Sequence, residues 1–249
     1  MVKNSTSARS PLSPTLWPPS AFAWWRSLLL LIALVAVALG ATLVFLGVEV
    51  SLYGKAAALH MSPPVLLASQ AIIYVPIVLV LLVMLPWVSQ RSMRELGLRP
   101  PTAGDVAWGI GGTFGMIVAI ELLSMLEMSL FHMKISETAV DLLRATRGIY
   151  VYVFAAIACL LAPFVEELVF RGFLLNAFLR YVPAPLAILL SALCFGGAHF
   201  SPSALVPLAG GGVVLGCVYY RTGSLTASMI AHAGFNLFSI IGLVAFKLT

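Results

Sequence analysis

Residues 27–49 read SLLLLIALVAVALGATLVFLGVE, with no ionisable side chain before Glu49 at the far end. A hydrocarbon core of about 30 Å takes roughly 20 apolar residues as a helix, so this run is long enough to span a bilayer. Backbone N–H and C=O groups in lipid must find partners inside the protein. The apolar residues come in long runs rather than in alternation, which selects helices over a barrel. Working outward, similar runs occupy residues 65–88, 106–128, 149–179, 184–199, 204–221 and 224–247. The expected fold is all-α, a polytopic transmembrane helical bundle of about seven spans, or eight if the crowded last four are divided differently. Composition agrees: of 249 residues 61% are hydrophobic and 9% charged, and the mean hydropathy is +1.05. A soluble domain carries roughly a quarter of its residues as charges. A soluble enzyme, a disordered chain and a coiled coil are excluded.

Residues 1–26 are rich in Ser and Pro and read as a flexible tail ending in an interfacial Trp24-Trp25-Arg26 anchor. The first apolar run is too long for the h-region of a cleaved signal peptide, so it is expected to stay in the mature protein. The sequon Asn4-Ser5-Thr6 matters only in a glycosylating compartment. Residues 27–128 hold the N-terminal transmembrane helices, with the basic connector QRSMRELGLRPPTAGD at 90–105. Residues 149–249 form the expected catalytic core. Pro76 and Pro86 are expected to kink the second helix. Gly111-xxx-Gly115 and Gly212-xxx-Gly216 read equally as close-approach pairs and as ordinary intramembrane glycines. Within 129–148 the spacing of Ala139, Leu142 and Leu143 suggests an interfacial helix.

The net charge of +5 is topological rather than a nucleic-acid signature, because the basic residues are spread along connectors. Lys3, Arg9, Arg26, Arg91, Arg94, Arg99, Arg180 and Arg221 fall on one side. Lys55, Lys134, Arg144, Arg147 and Lys247 fall on the other. The excess on the first side places the N-terminus in the cytoplasm. Cys159, Cys194 and Cys217 lie in apolar runs without a CxxC or an even framework, and read as small packing residues.

Ionisable groups within a membrane mark function by default, and most of them fall in the last third of the chain. The fourth run carries Glu166, Glu167 and Arg171, the fifth ends in Phe195-Gly196-Gly197-Ala198-His199, and the seventh carries His232 and Asn236. Successive helical residues diverge by about 100°, so Glu166 and Glu167 cannot share one task. Glu167 and Arg171, at i,i+4 with the acid first, suit an intrahelical ion pair. Glu166 is then free to meet another helix. His232 and Asn236, also at i,i+4, can point into one cavity. A carboxylate beside an imidazole can deprotonate water, and a His with an Asn can donate to the oxyanion formed when that water attacks a carbonyl. Taken singly, each set has a bland reading: a structural ion pair, a capped helix end, interhelical glue. Three sets on neighbouring spans point to peptide hydrolysis without an activated Ser or Cys.

Glu166-Glu167-xxx-Arg171, Phe195-xxx-His199 and His232-xxx-Asn236, in that order and spacing, resemble the CPBP family. These are the type II CAAX prenyl endopeptidases and the bacterial proteins tied to bacteriocin processing and self-immunity, also called the Abi family. The motifs cover about the last third of the chain. The connector Glu95-Leu96-Gly97-Leu98-Arg99 is similar to a segment often found before the family's core. The resemblance implies an intramembrane glutamate-dependent endopeptidase with its site open to the cytosol. Carried over by position, Glu166 and His199 activate the water, His232 and Asn236 stabilise the oxyanion, and Glu167 with Arg171 supports the site. It implies cleavage near the C-terminus or membrane-proximal part of a peptide or protein substrate, which a lipid group can modify. No cofactor is expected. Were zinc required, Glu166, His199 and His232 would be its ligands in an open three-ligand site, without the HExxH of the zincins.

Simple spans place His199 and His232 at opposite ends of the membrane. The fifth and sixth helices are therefore expected to be short, or to meet at a non-helical break near His199–Ser203 that lines a protein cavity. Glu121 is expected to face the bundle interior, as a structural acid or as one within reach of the site. Glu127 lies at the end of the same run. Tyr219, Tyr220 and Trp87 read as interface anchors, and His60 and His132 receive no role. Two other classes remain open: a non-proteolytic scaffold or immunity partner, which predicts a degraded motif, and a small transporter, which predicts repeat symmetry. The compact chain suits a bacterial plasma membrane, and its C-terminus carries no lipidation motif.

Overall fold

The structure is a computed structural model that describes residues 20–132 and 138–247. Residues 1–19 of the tail, the sequon, Lys134 and the last two residues lie outside the described residues. The apolar runs form α1 (Trp24–Leu59), α2 (Pro63–Ser89), α3 (Ala103–Phe131), α4 (Thr138–Ala145), α5 (Ile149–Leu179), α6 (Ala184–Gly197), α7 (Leu205–Thr222) and α8 (Leu225–Lys247). A 3₁₀ turn at Pro202–Ala204 precedes α7. The fold is an all-α polytopic bundle.

Six of these helices are long and apolar enough to cross a membrane, one fewer than the seven spans read from the sequence. The difference is α6, whose 14 residues reach about 21 Å, short of a bilayer core. The expected break is present. After α6 the chain turns through Phe200 at φ 52° and re-enters helix at Leu205. Gly196 lets α7 press against the end of α6, because a Cβ there would lie 2.6 Å from the Leu205 carbonyl oxygen.

Local chemistry sets the helix ends. Thr102 and Asp105 form a reciprocal capping box at the start of α3, and Asp105 also pairs with Arg99 at 2.7 Å. Gly223 ends α7 in the left-handed region. Helix α2 continues through both Pro76 and Pro86. The connector before α3 is tied to the α7–α8 turn: Leu225 N–H donates to Gly97 O (3.1 Å), Tyr219 Oη to Leu96 O (3.0 Å) and Thr226 Oγ1 to Arg99 O (2.5 Å). Gly97 fits there at φ 94°, its missing Cβ leaving room for the Gly223–Leu225 backbone.

Helix α3 packs on α7 and α8, α6 packs on α7, and α1 lies along α2. Gly212 and Gly216 are the close-approach pair: a Cβ on either would sit 3.0 Å from Ala192 or Ile188 of α6. Gly111 faces open space, so the other small-residue pattern is not one. Leu81, Leu85, Leu168, Phe173, Leu175 and Leu225 form a buried core between α2, α5 and the α7–α8 turn. Outer faces remain apolar, with Leu43, Val83 and Leu122 exposed, as lipid-facing surfaces require. Helix α4 is the amphipathic segment anticipated within 129–148, with Leu143 buried and Asp141 and Arg144 exposed. At the N-terminal anchor, the Arg26 guanidinium lies 5.1 Å from the Trp25 ring centre and 5.0 Å from that of Trp87.

Two expectations need correction. Tyr219 is no interface anchor: it is fully buried, because its hydroxyl joins Leu96 O to Asn176 Nδ2. Cys194 and Cys217 are exposed rather than packed, and all three thiols are free.

Candidate active site

The site is built around two widened stretches of α5. Hydrogen bonding shifts to the π pattern at Ile157–Leu161 and again at Leu168–Leu175, a distortion frequent at functional sites. The first has a visible cause. Ala162 N–H reaches back to Ile157 O, and Pro163, next in that register, has no N–H for Ala158 O. Asn236 of α8 fills the vacancy, its Nδ2 donating to Ala158 O at 2.7 Å. The second stretch is held by Asn176, whose Nδ2 lies 3.0 Å from both Arg171 O and Gly172 O.

Between these stretches, Glu166 and Glu167 diverge as helical geometry demands. Glu167 is fully buried and accepts from three donors: Arg171 Nη1 at 2.9 Å, Ser228 Oγ at 2.5 Å and His232 Nδ1 at 3.0 Å. Arg171, equally buried, sends Nη2 to Gly212 O at 3.1 Å and lies 4.7 Å from the Phe195 ring centre. A buried charge stays folded only when paired in this way. The i,i+4 ion pair read from the sequence is therefore present, and His232 of α8 joins it.

Glu166 faces a cavity of about 700 Å³ with His199, His232 and Asn236 also on its wall. Its Oε1 accepts from Tyr74 Oη of α2 at 3.3 Å. Its Oε2 is buried without a hydrogen-bond partner and lies 3.8 Å from His232 Nε2. Because an ionised carboxylate only accepts, Nδ1 of His232 is the donor to Glu167, which leaves Nε2 toward Glu166. His199 sits on the break after α6. Its Nδ1 lies 2.8 Å from Phe195 O, so Nδ1 carries the proton and Nε2 is the free nitrogen. The Phe195 ring is edge-on to both imidazoles, at 4.9 Å from His199 and 5.6 Å from His232.

Thus α5, α8 and the α6–α7 break bring Glu166, Glu167, Arg171, His199, His232 and Asn236 together. Glu121 is not among them: it is exposed on α3, because its side of that helix faces outward. Glu127 does not line the cavity either. Among the described residues, no group of three or more His, Cys, Asp and Glu side chains is arranged to hold a metal ion. Tyr74, Ser228 and Asn176 were missed by the sequence reading. A hydroxyl or amide within an apolar run was their only signal, and one such group among many selects nothing.

Comparison with known proteins gives a finding on the same segment. Residues 148–238 match the family model described as type II CAAX prenyl endopeptidase Rce1-like. No curated protein and no solved structure matches the chain. The matched residues contain all six side chains named above. This segment is accordingly similar to the Rce1-like type II CAAX prenyl endopeptidases.

Proposed function

We propose that the chain is an intramembrane endopeptidase in which Glu166 takes a proton from a water held between its free Oε2 and the cavity-facing imidazoles. The observation that carries this reading is that buried, unbonded oxygen, 3.8 Å from His232 Nε2, on the wall of a cavity large enough for a peptide segment. A general base needs a free lone pair aimed at the proton it removes, directly or through one water. Glu166 has one on the cavity wall; Glu167 already accepts three hydrogen bonds and does not line the cavity.

The water oxygen attacks the scissile carbonyl carbon, and its proton passes to Glu166, with His199 Nε2 as the second acceptor on the wall. Negative charge then develops on the carbonyl oxygen. His232, when Nε2 also carries a proton, and the second N–H of Asn236 Nδ2 are the donors for it. Glu167 orients His232 from behind and balances its charge, as a carboxylate behind a histidine does elsewhere. When the C–N bond breaks, the leaving amine takes the proton from Glu166. No step runs through a metal.

The substrate class is a peptide or protein segment held in the membrane, cut near its C-terminus or beside the membrane. The cavity wall is largely apolar, with Leu67, Phe154 and Leu243 beside the polar groups, which suits a lipid-modified or membrane-inserted segment. Residues 149–249 serve as the catalytic core behind the helices of 27–128. The distribution of Lys and Arg supports a cytoplasmic N-terminus and a site open to the cytosol of a bacterial plasma membrane. The test is cleavage of a membrane-peptide library by wild-type protein and by Glu166→Ala, each reconstituted in lipid. Cleavage by wild type alone is expected; equal cleavage by both overturns the reading.

A further inference from the structure

We infer that Tyr74 is a positioning residue for Glu166, one that fixes which carboxylate oxygen is left to act. The inference rests on the proposed role of Glu166 and extends it to a helix outside the family-matched segment.

Glu166 has two oxygens in unlike surroundings. Oε1 accepts from Tyr74 Oη, whereas Oε2 has no hydrogen bond and points toward His232. Without the tyrosine, both oxygens of Glu166 would lack a donor, and the carboxylate could turn so that either faced the cavity. A phenol bound to one oxygen removes that freedom and holds the other in one place. Misplacing a reacting group by about 1 Å can cost on the order of 100-fold in rate. The O···O distance of 3.3 Å is longer than the 2.7–2.8 Å usual for such bonds.

Tyr74 is placed for this and for little else. It comes from α2, and among the described residues its hydroxyl bonds to Glu166 alone. Its ring lines the cavity with Gln70, one turn earlier, and Ile77. The other groups around Glu166 each hold a hydrogen bond elsewhere. His232 is tied to Glu167, Arg171 to Glu167 and Gly212, and His199 to Phe195. Tyr74 thereby links the N-terminal helices to the chemistry.

The experiment compares wild type, Tyr74→Phe and Glu166→Gln, purified and reconstituted in lipid, on one cleaved membrane peptide. Tyr74→Phe keeps the ring and removes only the hydroxyl. Its kcat is expected to fall about 10-fold or more, while KM and the thermal unfolding midpoint stay at wild-type values. A purely structural tyrosine would move the midpoint, and a substrate-binding one would move KM. Wild-type kcat in Tyr74→Phe with an inactive Glu166→Gln overturns the inference and leaves the Glu166 reading intact. Full activity in Glu166→Gln overturns both. If Tyr74→Phe is unstable, Tyr74→Trp retains an aromatic N–H donor. Recovery of activity by Tyr74→Trp then supports the inference, and a fully stable, inactive Tyr74→Trp contradicts it.

Discussion

Nδ1 of His232 lies 3.0 Å from Oε1 of Glu167, the same oxygen that accepts from Arg171 Nη1. One buried carboxylate thus neutralises a guanidinium and orients an imidazole, tying the stability of the helix bundle to the geometry of its site. Glu167→Gln leaves the buried Arg171 charge without its partner, a change that costs roughly 3–5 kcal/mol in comparable buried pairs. Unfolding in detergent should register that loss. Replacing both partners, as Glu167→Gln with Arg171→Met, should restore part of the stability but no activity, because His232 still lacks a charged acceptor. A double variant no more stable than Glu167→Gln would contradict this account of the pair.

Asn236 has two engagements that substitutions can separate. Its Nδ2 satisfies the Ala158 carbonyl freed by Pro163, and its second N–H is assigned to the oxyanion. Asn236→Ala should lower kcat by about 10²–10³, as loss of one such donor does, with KM little changed. Asn236→Asp turns an acceptor toward Ala158 O and should also destabilise the fold by about 1–3 kcal/mol. Rates and unfolding midpoints measured together decide the matter. A wild-type kcat in Asn236→Ala removes it from the oxyanion role.

The joint between α6 and α7 depends on one of two adjacent glycines. A Cβ on Gly196 would lie 2.6 Å from Leu205 O and 3.1 Å from Ala209 N, both backbone atoms, whereas one on Gly197 would meet nothing within 4 Å. Gly196→Ala should cost about 1–3 kcal/mol through overpacking and impair cleavage by shifting His199. Gly197→Ala should be close to neutral. Thermal scans of the two variants check this, and equal effects would refute the asymmetry.

Tyr219→Phe tests whether this residue is a buried clasp or an interface anchor. Removing its hydroxyl leaves Leu96 O without its donor and takes an acceptor from Asn176 Nδ2, a loss of about 1–3 kcal/mol. An anchor at the lipid surface would lose almost nothing. Denaturation of the purified protein should show the larger value, with wild-type activity in the folded fraction.

The spans, the Glu167–Arg171 pair and the break after α6 were legible because each follows from a local rule. These rules are apolar length, i,i+4 spacing, and the conflict between where two histidines fall and where they must meet. What escaped depends on tertiary placement. Glu121 sits in the same apolar run as buried residues, and only the packing of α3 shows that it turns outward. Tyr219 and Tyr220 are neighbours with the same chemistry in sequence, yet only Tyr219 is fully buried. Tyr74 reaches Glu166 across a sequence separation of 92 residues, and no periodicity encodes such a contact.

The central claim, that Glu166 activates the attacking water, is tested most directly by the cleavage rate of one membrane peptide in lipid. Wild type and Glu166→Gln would be compared with and without a zinc chelator. The account predicts that Glu166→Gln, nearly isosteric but unable to serve as the base, loses at least about 10²-fold in kcat. It predicts equally that the chelator leaves the wild-type rate unchanged. Wild-type turnover by Glu166→Gln, or a chelated wild type that is inactive until zinc is restored, would contradict it.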